Sequence, residues 1–247
     1  MLKPLKALAA PQAFYHFTGA LIPWLWGITV LALGYGLWGG LYAAPADYQQ
    51  GEGFRIIYVH VPAAFLSLAI YSWMAALAAS YLIWRIKIVE VLMMSIAPIG
   101  AMFTFLALVT GAIWGKPMWG TWWVWDARLT SELILLFLYL GVIALKNAIT
   151  HPKVAAKACA ILTLVGFIDI PIIHYSVQWW FTLHQGATLS FFAPPKIAMS
   201  MLIPLLSMLI GFVSYALAIW FIYARAKLLD REYEKIWVKN MLQVAIK

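Results

Sequence analysis

The chain has 247 residues, of which 65% are hydrophobic and only 11% are charged. Soluble globular domains are roughly 45–50% apolar and about 25% charged, so this composition excludes a water-soluble domain and predicts a single membrane domain over residues 1–247. The formal net charge of +8 would suit nucleic-acid binding in a soluble protein. Here the charges stand between apolar runs, so membrane topology explains them and no nucleic-acid partner is expected.

Six apolar runs approach or exceed the length needed to cross a bilayer, which takes about 20 mostly apolar residues. They cover residues 21–41, 57–84, 91–113, 129–145, 158–173 and 197–223. The first run is longer than the core of a signal peptide, so we interpret it as a retained span. The sequence therefore predicts an all-α polytopic membrane protein with six transmembrane helices.

Lysine and arginine are unevenly divided between the two sides of these spans. Only four of the 17 fall on one side, namely Arg55, Lys116, Arg128 and Lys196. The positive-inside rule then places both termini in the cytoplasm and three loops outside, at about residues 42–56, 114–128 and 174–196. The charged tail, residues 224–247, is predicted to be a cytoplasmic helix at the membrane surface or at a partner.

The middle outer loop, residues 114–128, is unusually rich in tryptophan. Five tryptophans lie within twelve residues, at Trp114, Trp119, Trp122, Trp123 and Trp125. Tryptophan favours membrane interfaces, so an aromatic belt is one interpretation. If residues 119–126 are helical, the tryptophans at 119, 122 and 123 share a face with Asp126 and form a stacking platform for a planar aromatic ligand. From the residues alone, both interpretations stay open.

Charged residues follow these tryptophans. Asp126 is placed to cap the fourth span, and Arg128 is placed to pair with Glu132 one turn later. Arg128 is equally placed to orient the carboxylates of a ligand. Deeper in the chain, Asp169 is an intramembrane carboxylate, which we interpret as a hydrogen-bonded core residue. The single cysteine, Cys159, excludes a disulfide within the chain, a cysteine-based zinc site and covalent haem attachment through C-x-x-C-H.

Three of the five histidines, His60, His174 and His184, are predicted to lie on the outer side. His60 precedes Pro62, and because proline suits the first turn of a helix, His60 is expected at the mouth of the second span. A lone histidine is usually a structural residue. Two histidines from separate loops beside a tryptophan-rich segment instead suit the axial ligation of haem iron. Zinc is disfavoured because no close spacing supplies further ligands.

Three segments carry a resemblance to a known family. They are the WGTWWVWD segment from Trp119 to Asp126, the HVP opening at His60 and the PIIHYSVQWW run from Pro171. Together they resemble the signature of the WWD haem-handling membrane proteins. The chain is similar, over nearly its whole length, to the haem exporter protein C family of the bacterial cytochrome c maturation pathway. The larger haem-lyase relatives have many more spans than this length allows.

The resemblance implies a haem-handling subunit, and not an enzyme, in the bacterial inner membrane. Such a protein binds haem b non-covalently at the periplasmic face and delivers it to a periplasmic haem chaperone during cytochrome c maturation. Its implied partners are an ABC-type ATPase, a second polytopic membrane subunit and a small single-span membrane protein, within membrane lipid. ATP hydrolysis belongs to the ATPase, since this chain has no G-x-x-x-x-G-K-[ST] loop.

Residue by residue, the resemblance assigns His60 and His184 as the two axial ligands of the iron. It assigns the haem platform to Trp114, Trp119, Trp122, Trp123, Trp125 and Asp126. Lys116 or Arg128 is placed to steer the propionates. His174 matches the family run, but no role is carried over to it.

Two other functions remain open from the residues. The main alternative is a membrane enzyme that acts on a quinone or a lipid-linked substrate, with Asp126, Glu132 and the histidines as acid and base groups. A transporter with a path through the bundle would need several polar groups at mid-membrane depth. The ionisable groups cluster instead at the outer end, which disfavours a path through the bundle.

Overall fold

The computed structural model describes residues 10–184, 186 and 197–245. This part of the chain folds into eight α-helices and contains no β-strand, which confirms the all-α class. In chain order the helices are α1 (Pro11–Trp38), α2 (Ile57–Trp84), α3 (Lys87–Trp119), α4 (Ala127–Ala148), α5 (Pro152–Gly166), α6 (Asp169–Trp179), α7 (Met199–Arg231) and α8 (Ile236–Ala245). A π-helical turn, Gly39–Ala43, prolongs α1, and a 3₁₀ turn, Glu52–Ile56, leads into α2.

Six helical segments are long and apolar enough to span a membrane, so the protein is a multi-pass membrane protein, as predicted. These segments are Pro11–Ala43, Glu52–Trp84, Lys87–Trp119, Ala127–Ala148, Pro152–Trp179 and Met199–Arg231. Several predicted boundaries are wrong. The first span begins at Pro11 and not at residue 21, and the last runs to Arg231 and not to residue 223. The third span runs to Trp119, well past residue 113, and the fifth consists of two helices separated at Phe167 and Ile168.

The third span, α3, is the most buried of the six, and it packs against α2, α4 and α7. Small residues allow this close packing, which matters in lipid because no hydrophobic force draws helices together there. Gly100 on α3 is an example, since an added Cβ would overlap the ring of Tyr139 on α4. Cys159 is fully buried between helices, which confirms it as a small core residue.

The first span, α1, lies at the edge of the bundle and packs mainly against α7. Gly36 faces Met208 so closely that an added Cβ would lie 2.7 Å from its side chain. The Ser207 hydroxyl donates a hydrogen bond to the carbonyl oxygen of Ala32 at 2.9 Å. The other face of α1 exposes large apolar side chains such as Val30 and Leu31, which suits contact with lipid.

The bundle has two chemically different ends. The second span begins and the third ends at what we call the histidine end, where His60 and Trp114 meet. At the opposite end, α7 ends in Arg231 and the short helix α8 follows. The tail, residues 224–247, is predicted to be helical, and most of the part that the structure describes lies in α7 and α8.

Ion pairs tie the helices together at the opposite end. Lys87, at the start of α3, lies 2.5 Å from a carboxylate oxygen of Glu232, just after α7. Arg231, the last residue of α7, pairs with Glu90 on α3 at 2.7 Å. Both ion pairs join α3 to the end of α7. They therefore stabilise the packing of these two helices at this end of the bundle.

Candidate functional site

His60 is the buried centre of the histidine end, with only 9% of its surface exposed. It is the fourth residue of α2, and Pro62 lies inside the helix and not in its first turn. The prediction that Pro62 lies in the first turn is therefore wrong. The 3₁₀ turn Glu52–Ile56 leads directly into the α-helix, which begins at Ile57, before the proline. Nδ1 of His60 lies 3.0 Å from the hydroxyl oxygen of Thr110 on α3.

Trp114 packs against His60 one helical turn beyond Thr110. The two rings meet edge to face, with their centroids 5.6 Å apart. The Trp114 indole N–H donates a hydrogen bond to the side-chain oxygen of Gln50 at 2.9 Å. Gln50 stands in the first loop, where the Asp47 carboxylate accepts the backbone N–H groups of residues 49 and 50. The first loop is thereby held against α3 beside the site, a contact that no sequence signal indicated.

The tryptophan-rich segment is not helical from residue 120 to residue 126, so the predicted shared face of Trp119, Trp122, Trp123 and Asp126 is wrong. Gly120 adopts a left-handed conformation, with φ of 77°, and ends α3. Glycine takes this conformation at little cost, and it commonly follows the last turn of a helix. The segment then runs to Asp126, which begins the next helix.

The five tryptophans therefore divide into separate groups. Trp114 and Trp119 face the histidines, and the Trp119 ring centroid lies 6.3 Å from that of His184. Trp123 and Trp125 contact each other edge to face at 5.4 Å. They line an apolar depression of about 350 Å³, together with Phe105, Leu108, Leu133 and Leu136. Trp122 is exposed.

Asp126 links α4 to the third loop through its two carboxylate oxygens. One oxygen accepts the backbone N–H of Leu129 at 2.8 Å, which confirms the predicted N-cap. The other accepts the hydroxyl of Thr182. The Thr182 oxygen in turn accepts the backbone N–H of His184 at 3.1 Å. The signature aspartate thus holds the segment that carries His184, through a threonine that the sequence analysis missed.

His184 lies beside His60, and their ring centroids are 6.3 Å apart at an angle of 40°. Two imidazoles that bind one metal ion at about 2 Å each place their ring centroids roughly 6 Å apart. The two histidines therefore fit a shared iron atom. The residues that the structure describes include no group of three or more histidine, cysteine or acidic side chains suited to a metal ion.

The two cations suggested for the propionates are each engaged by the protein. Arg128 donates a hydrogen bond to the carbonyl oxygen of Ile173 at 2.7 Å and so ties α4 to α6. Its predicted pairing with Glu132 is wrong, since the Glu132 carboxylate accepts the Ser67 hydroxyl at 2.7 Å instead. Lys116 donates to the carbonyl oxygen of Gly120 at 3.0 Å.

A polar cluster lies below the histidines. Ser67 is two helical turns after His60 on α2, roughly 10 Å deeper in the bundle. One oxygen of Glu132, one oxygen of Asp169 and the hydroxyl of Tyr71 are buried there without a hydrogen-bond partner. The interpretation of Asp169 as a hydrogen-bonded core residue is therefore wrong for that buried oxygen.

The third predicted histidine on this side, His174, does not join the pair. Its side chain is exposed on α6 and contacts the neighbouring Tyr175 edge to face at 4.7 Å.

Of the residues named from the sequence, the structure brings together His60, His184, Trp114 and Trp119. It also supplies three supporting side chains that sequence reasoning missed, Thr110, Thr182 and Gln50.

Known proteins resemble this chain over nearly its whole length. The family model described as Heme exporter protein C matches residues 4–239. The chain is 49% identical to "Heme exporter protein C" of Haemophilus influenzae, over 98% of this chain and 99% of that protein. It is 49% identical to the Escherichia coli K12 protein of the same name, over 98% of each chain. It is 44% identical to the protein so named in Bradyrhizobium diazoefficiens, over 96% of this chain and 90% of that protein.

Proposed function

This chain belongs to the haem exporter protein C family, and we propose that it binds haem b non-covalently between His60 and His184 and delivers it to a haem chaperone during cytochrome c maturation. The relatives' shared name supports a role in haem export. The observation that carries the proposal is the separation of 6.3 Å between the two imidazole rings. No other pair among the five histidines, as far as the structure describes their rings, is in ring contact.

The side chains around the pair fit a planar apolar ligand. Trp114 lies against His60 and Trp119 lies against His184, so each candidate ligand has an indole ring at its side. Aromatic rings favour contact with other π-systems and bring a large apolar surface. In this arrangement His60 and His184 would hold the iron, while Trp114 and Trp119 would shield the apolar ligand from water.

The propionates would meet the two cations near the site. Arg128 carries five N–H donors, and its hydrogen bond to Ile173 uses one of them. The Lys116 ammonium has three donors, and its hydrogen bond to Gly120 fixes the lysine at the end of α3. Each side chain is therefore anchored near the site and keeps donors for a carboxylate.

The membrane orientation follows from the distribution of charge. The end opposite to the histidines carries most of the lysines and arginines between spans, and the positive-inside rule assigns that end to the cytoplasm. The histidine end then faces the periplasm of a bacterial inner membrane. Haem bound there would present its vinyl group to a periplasmic chaperone.

The remaining partners would use other surfaces. An ABC-type ATPase would supply the energy for release, and it is expected at the cytoplasmic end with α7 and α8. A second polytopic subunit and a small single-span protein are expected along the membrane. The apolar face of α1, with Trp24, Val30 and Leu31 exposed, is suited to one of them or to lipid.

Visible absorption of the purified protein tests the haem proposal. We expect a Soret band whose position or intensity changes in both His60→Ala and His184→Ala. His174→Ala is the matched control, because His174 lies in the same half of the bundle but outside the pair, and its spectrum should equal the wild type. The proposal fails if neither the isolated protein nor the haem-supplemented protein has a Soret band, or if His60→Ala and His184→Ala leave the band unchanged.

The alternative of a membrane enzyme acting on a quinone or a lipid-linked substrate rests on Glu132, whose second carboxylate oxygen is buried without a partner. Asp126 suits acid–base chemistry less well, because both of its oxygens accept hydrogen bonds within the protein. An enzyme predicts turnover that Glu132→Gln abolishes. The haem proposal predicts that Glu132→Gln keeps its Soret band.

A further inference from the structure

We propose that Thr110 is a positioning residue that holds the His60 imidazole with its proton on Nδ1, so that the Nε2 lone pair is free to bind the iron. The part that concerns the iron rests on the proposed function. The part that concerns the proton rests on hydrogen-bond geometry alone, and it can be tested on protein without haem.

The hydrogen bonds of the Thr110 hydroxyl determine where the proton of His60 lies. A threonine hydroxyl has one hydrogen to donate and two lone pairs that accept. Its oxygen lies 2.6 Å from the carbonyl oxygen of Leu106 and 3.3 Å from that of Ala107, both on α3. Two oxygens 2.6 Å apart need a proton between them, and a carbonyl cannot provide it. The Thr110 hydroxyl therefore donates to Leu106.

The contact between Thr110 and His60 must then run in the opposite direction. Nδ1 of His60 lies 3.0 Å from the same hydroxyl oxygen, whose only hydrogen points at Leu106. Nδ1 must therefore donate its own proton to a lone pair of that oxygen. Since a neutral imidazole carries one N–H and one lone pair, the lone pair is on Nε2.

The surroundings of His60 preserve this arrangement. Thr110 is 8% exposed and His60 is 9% exposed, so water does not compete well for the hydrogen bond. A Cβ added to Gly111 would lie 3.1 Å from Cε1 of the His60 ring, and Trp114 packs edge to face against the same ring. The ring is therefore confined by its neighbours as well as hydrogen-bonded.

The consequence for iron binding is both geometric and electronic. A metal-binding histidine that donates its other N–H to a fixed acceptor has a set ring orientation and a more basic ligating nitrogen. Loss of such a partner typically lowers metal affinity by roughly 10- to 100-fold. Thr110 would thus fix the ring orientation and the tautomer of His60 before haem binds. No free energy would then be lost in ordering the imidazole on binding.

The first experiment is ¹⁵N NMR of histidine-labelled protein without haem, in lipid nanodiscs, with the His60 signals assigned by their loss in His60→Ala. We expect a protonated Nδ1 and an unprotonated Nε2 in the wild type and in Thr110→Ser, which keeps the hydroxyl. Thr110→Val has nearly the same shape but lacks the hydroxyl oxygen that accepts from Nδ1, so it should show mixed tautomers, with the backbone carbonyl of Ala107 as the acceptor that remains. Thr104→Val is the matched control, because Thr104 is a fully buried threonine on the same helix whose hydroxyl donates to the carbonyl oxygen of Gly100.

The second experiment adds haem to the same variants and follows the Soret band, the electron paramagnetic resonance of the ferric form, the reduction potential and the rate of haem loss. Thr110→Val should lose haem roughly 10- to 100-fold more readily than the wild type. Its reduction potential should rise, because a less basic imidazole stabilises ferric iron less. Thr110→Ser and Thr104→Val should behave as the wild type.

The outcomes separate the two proposals. A wild-type His60 protonated on Nε2, or a Thr110→Val spectrum identical to that of the wild type, overturns the role of Thr110. If the tautomer depends on Thr110 but His60→Ala leaves the Soret band unchanged, the proposed haem site fails while the hydrogen bond stands. If Thr110→Val does not fold, the wild-type and Thr110→Ser spectra still decide the tautomer.

Discussion

The two histidines of the candidate site are held in different ways. His60 belongs to a long buried helix, and α3 holds its ring directly through the contact with Thr110. His184 lies after α6, where its backbone is held by way of Thr182 and Asp126 and its ring contacts His60 and Trp119. The His60 ring is thus hydrogen-bonded to a neighbouring span, whereas His184 lies outside the helices.

This difference would suit the proposed function, in which haem is first bound and then released. Long buried helices open only with large parts of the fold, whereas loops with few buried contacts open at low free-energy cost. We therefore expect His60 to be the permanent ligand and His184 to be the ligand that leaves first. The predictions below test this asymmetry, in order of decreasing effect.

The largest effect is expected from removal of the histidines themselves. His60→Ala should lose more affinity for haem than the roughly 10- to 100-fold that loss of a supporting hydrogen bond produces. His184→Ala should keep haem bound through His60, in a five-coordinate high-spin form. Absorption and electron paramagnetic resonance spectra distinguish the two forms.

Added imidazole sharpens this test. It should restore a low-spin spectrum to His184→Ala, because the space left by a loop residue is open to a small ligand. It should restore His60→Ala poorly, because that space is buried against α3. Equal rescue of both variants would show that the two ligands are equivalent and would remove the asymmetry.

A smaller effect is expected at Asp126, which supports only the His184 half. Asp126→Ala removes the helix cap, worth about 0.5–2 kcal/mol, together with the acceptor of Thr182. We expect a lower melting temperature and a mixture of spin states in bound haem. Thr182→Val keeps the cap, so it should change the spin state without the same loss of thermal stability. A change of the His60 tautomer in either variant would contradict the separation of the two supports.

Trp114→Phe should have a modest effect near His60. Phenylalanine retains an aromatic ring beside His60 but cannot donate to Gln50, a hydrogen bond of 2.9 Å. A typical hydrogen bond contributes about 0.5–1.5 kcal/mol. Thermal unfolding should show a slightly lower melting temperature, while the Soret band stays close to that of the wild type. A spectrum like that of His60→Ala would mean that the first loop itself shapes the site.

The smallest effect is expected at the opposite end, at Glu232. Burial alone would raise the pKa of Glu232, but hydrogen bonds from Lys87 and Trp237 outweigh it and hold the pKa below its ordinary value. A depressed pKa means that this ion pair stabilises the fold above the ordinary pKa, and that the stabilisation is lost as the pH falls through the lowered one. Acidification from neutral pH to below about 4 should therefore lower the melting temperature.

The matched control for this prediction is Glu232→Gln, which should show a smaller loss on acidification. The difference between the wild type and Glu232→Gln should be about 1 kcal/mol or less, as for other partly exposed ion pairs. Haem spectra at neutral pH should be the same in both proteins. A spectral change in Glu232→Gln would reveal coupling between the two ends of the bundle.

Two of the wrong predictions about the site share a cause, which is reliance on spacing along one helix. The helical face predicted for Trp119, Trp122 and Trp123 assumed that i, i+3 and i+4 spacing continues past Gly120, whose left-handed conformation ends α3. The predicted pair of Arg128 with Glu132 assumed that neighbours on one helix find each other first. Both side chains instead bond to other helices, because a bundle offers partners that local spacing does not reveal.

The sequence by itself determined that there are six spans, because a bilayer requires about 20 apolar residues to cross it, whereas the fold decided where each helix begins and ends. It also determined the cap at Asp126, which is a contact between near neighbours in the chain. Only the tertiary structure decided how the histidines are supported. His60 meets Thr110 across 50 positions, Trp114 meets Gln50 across 64 and Asp126 meets Thr182 across 56. Contacts between residues so far apart depend on how the helices pack, which no local pattern records.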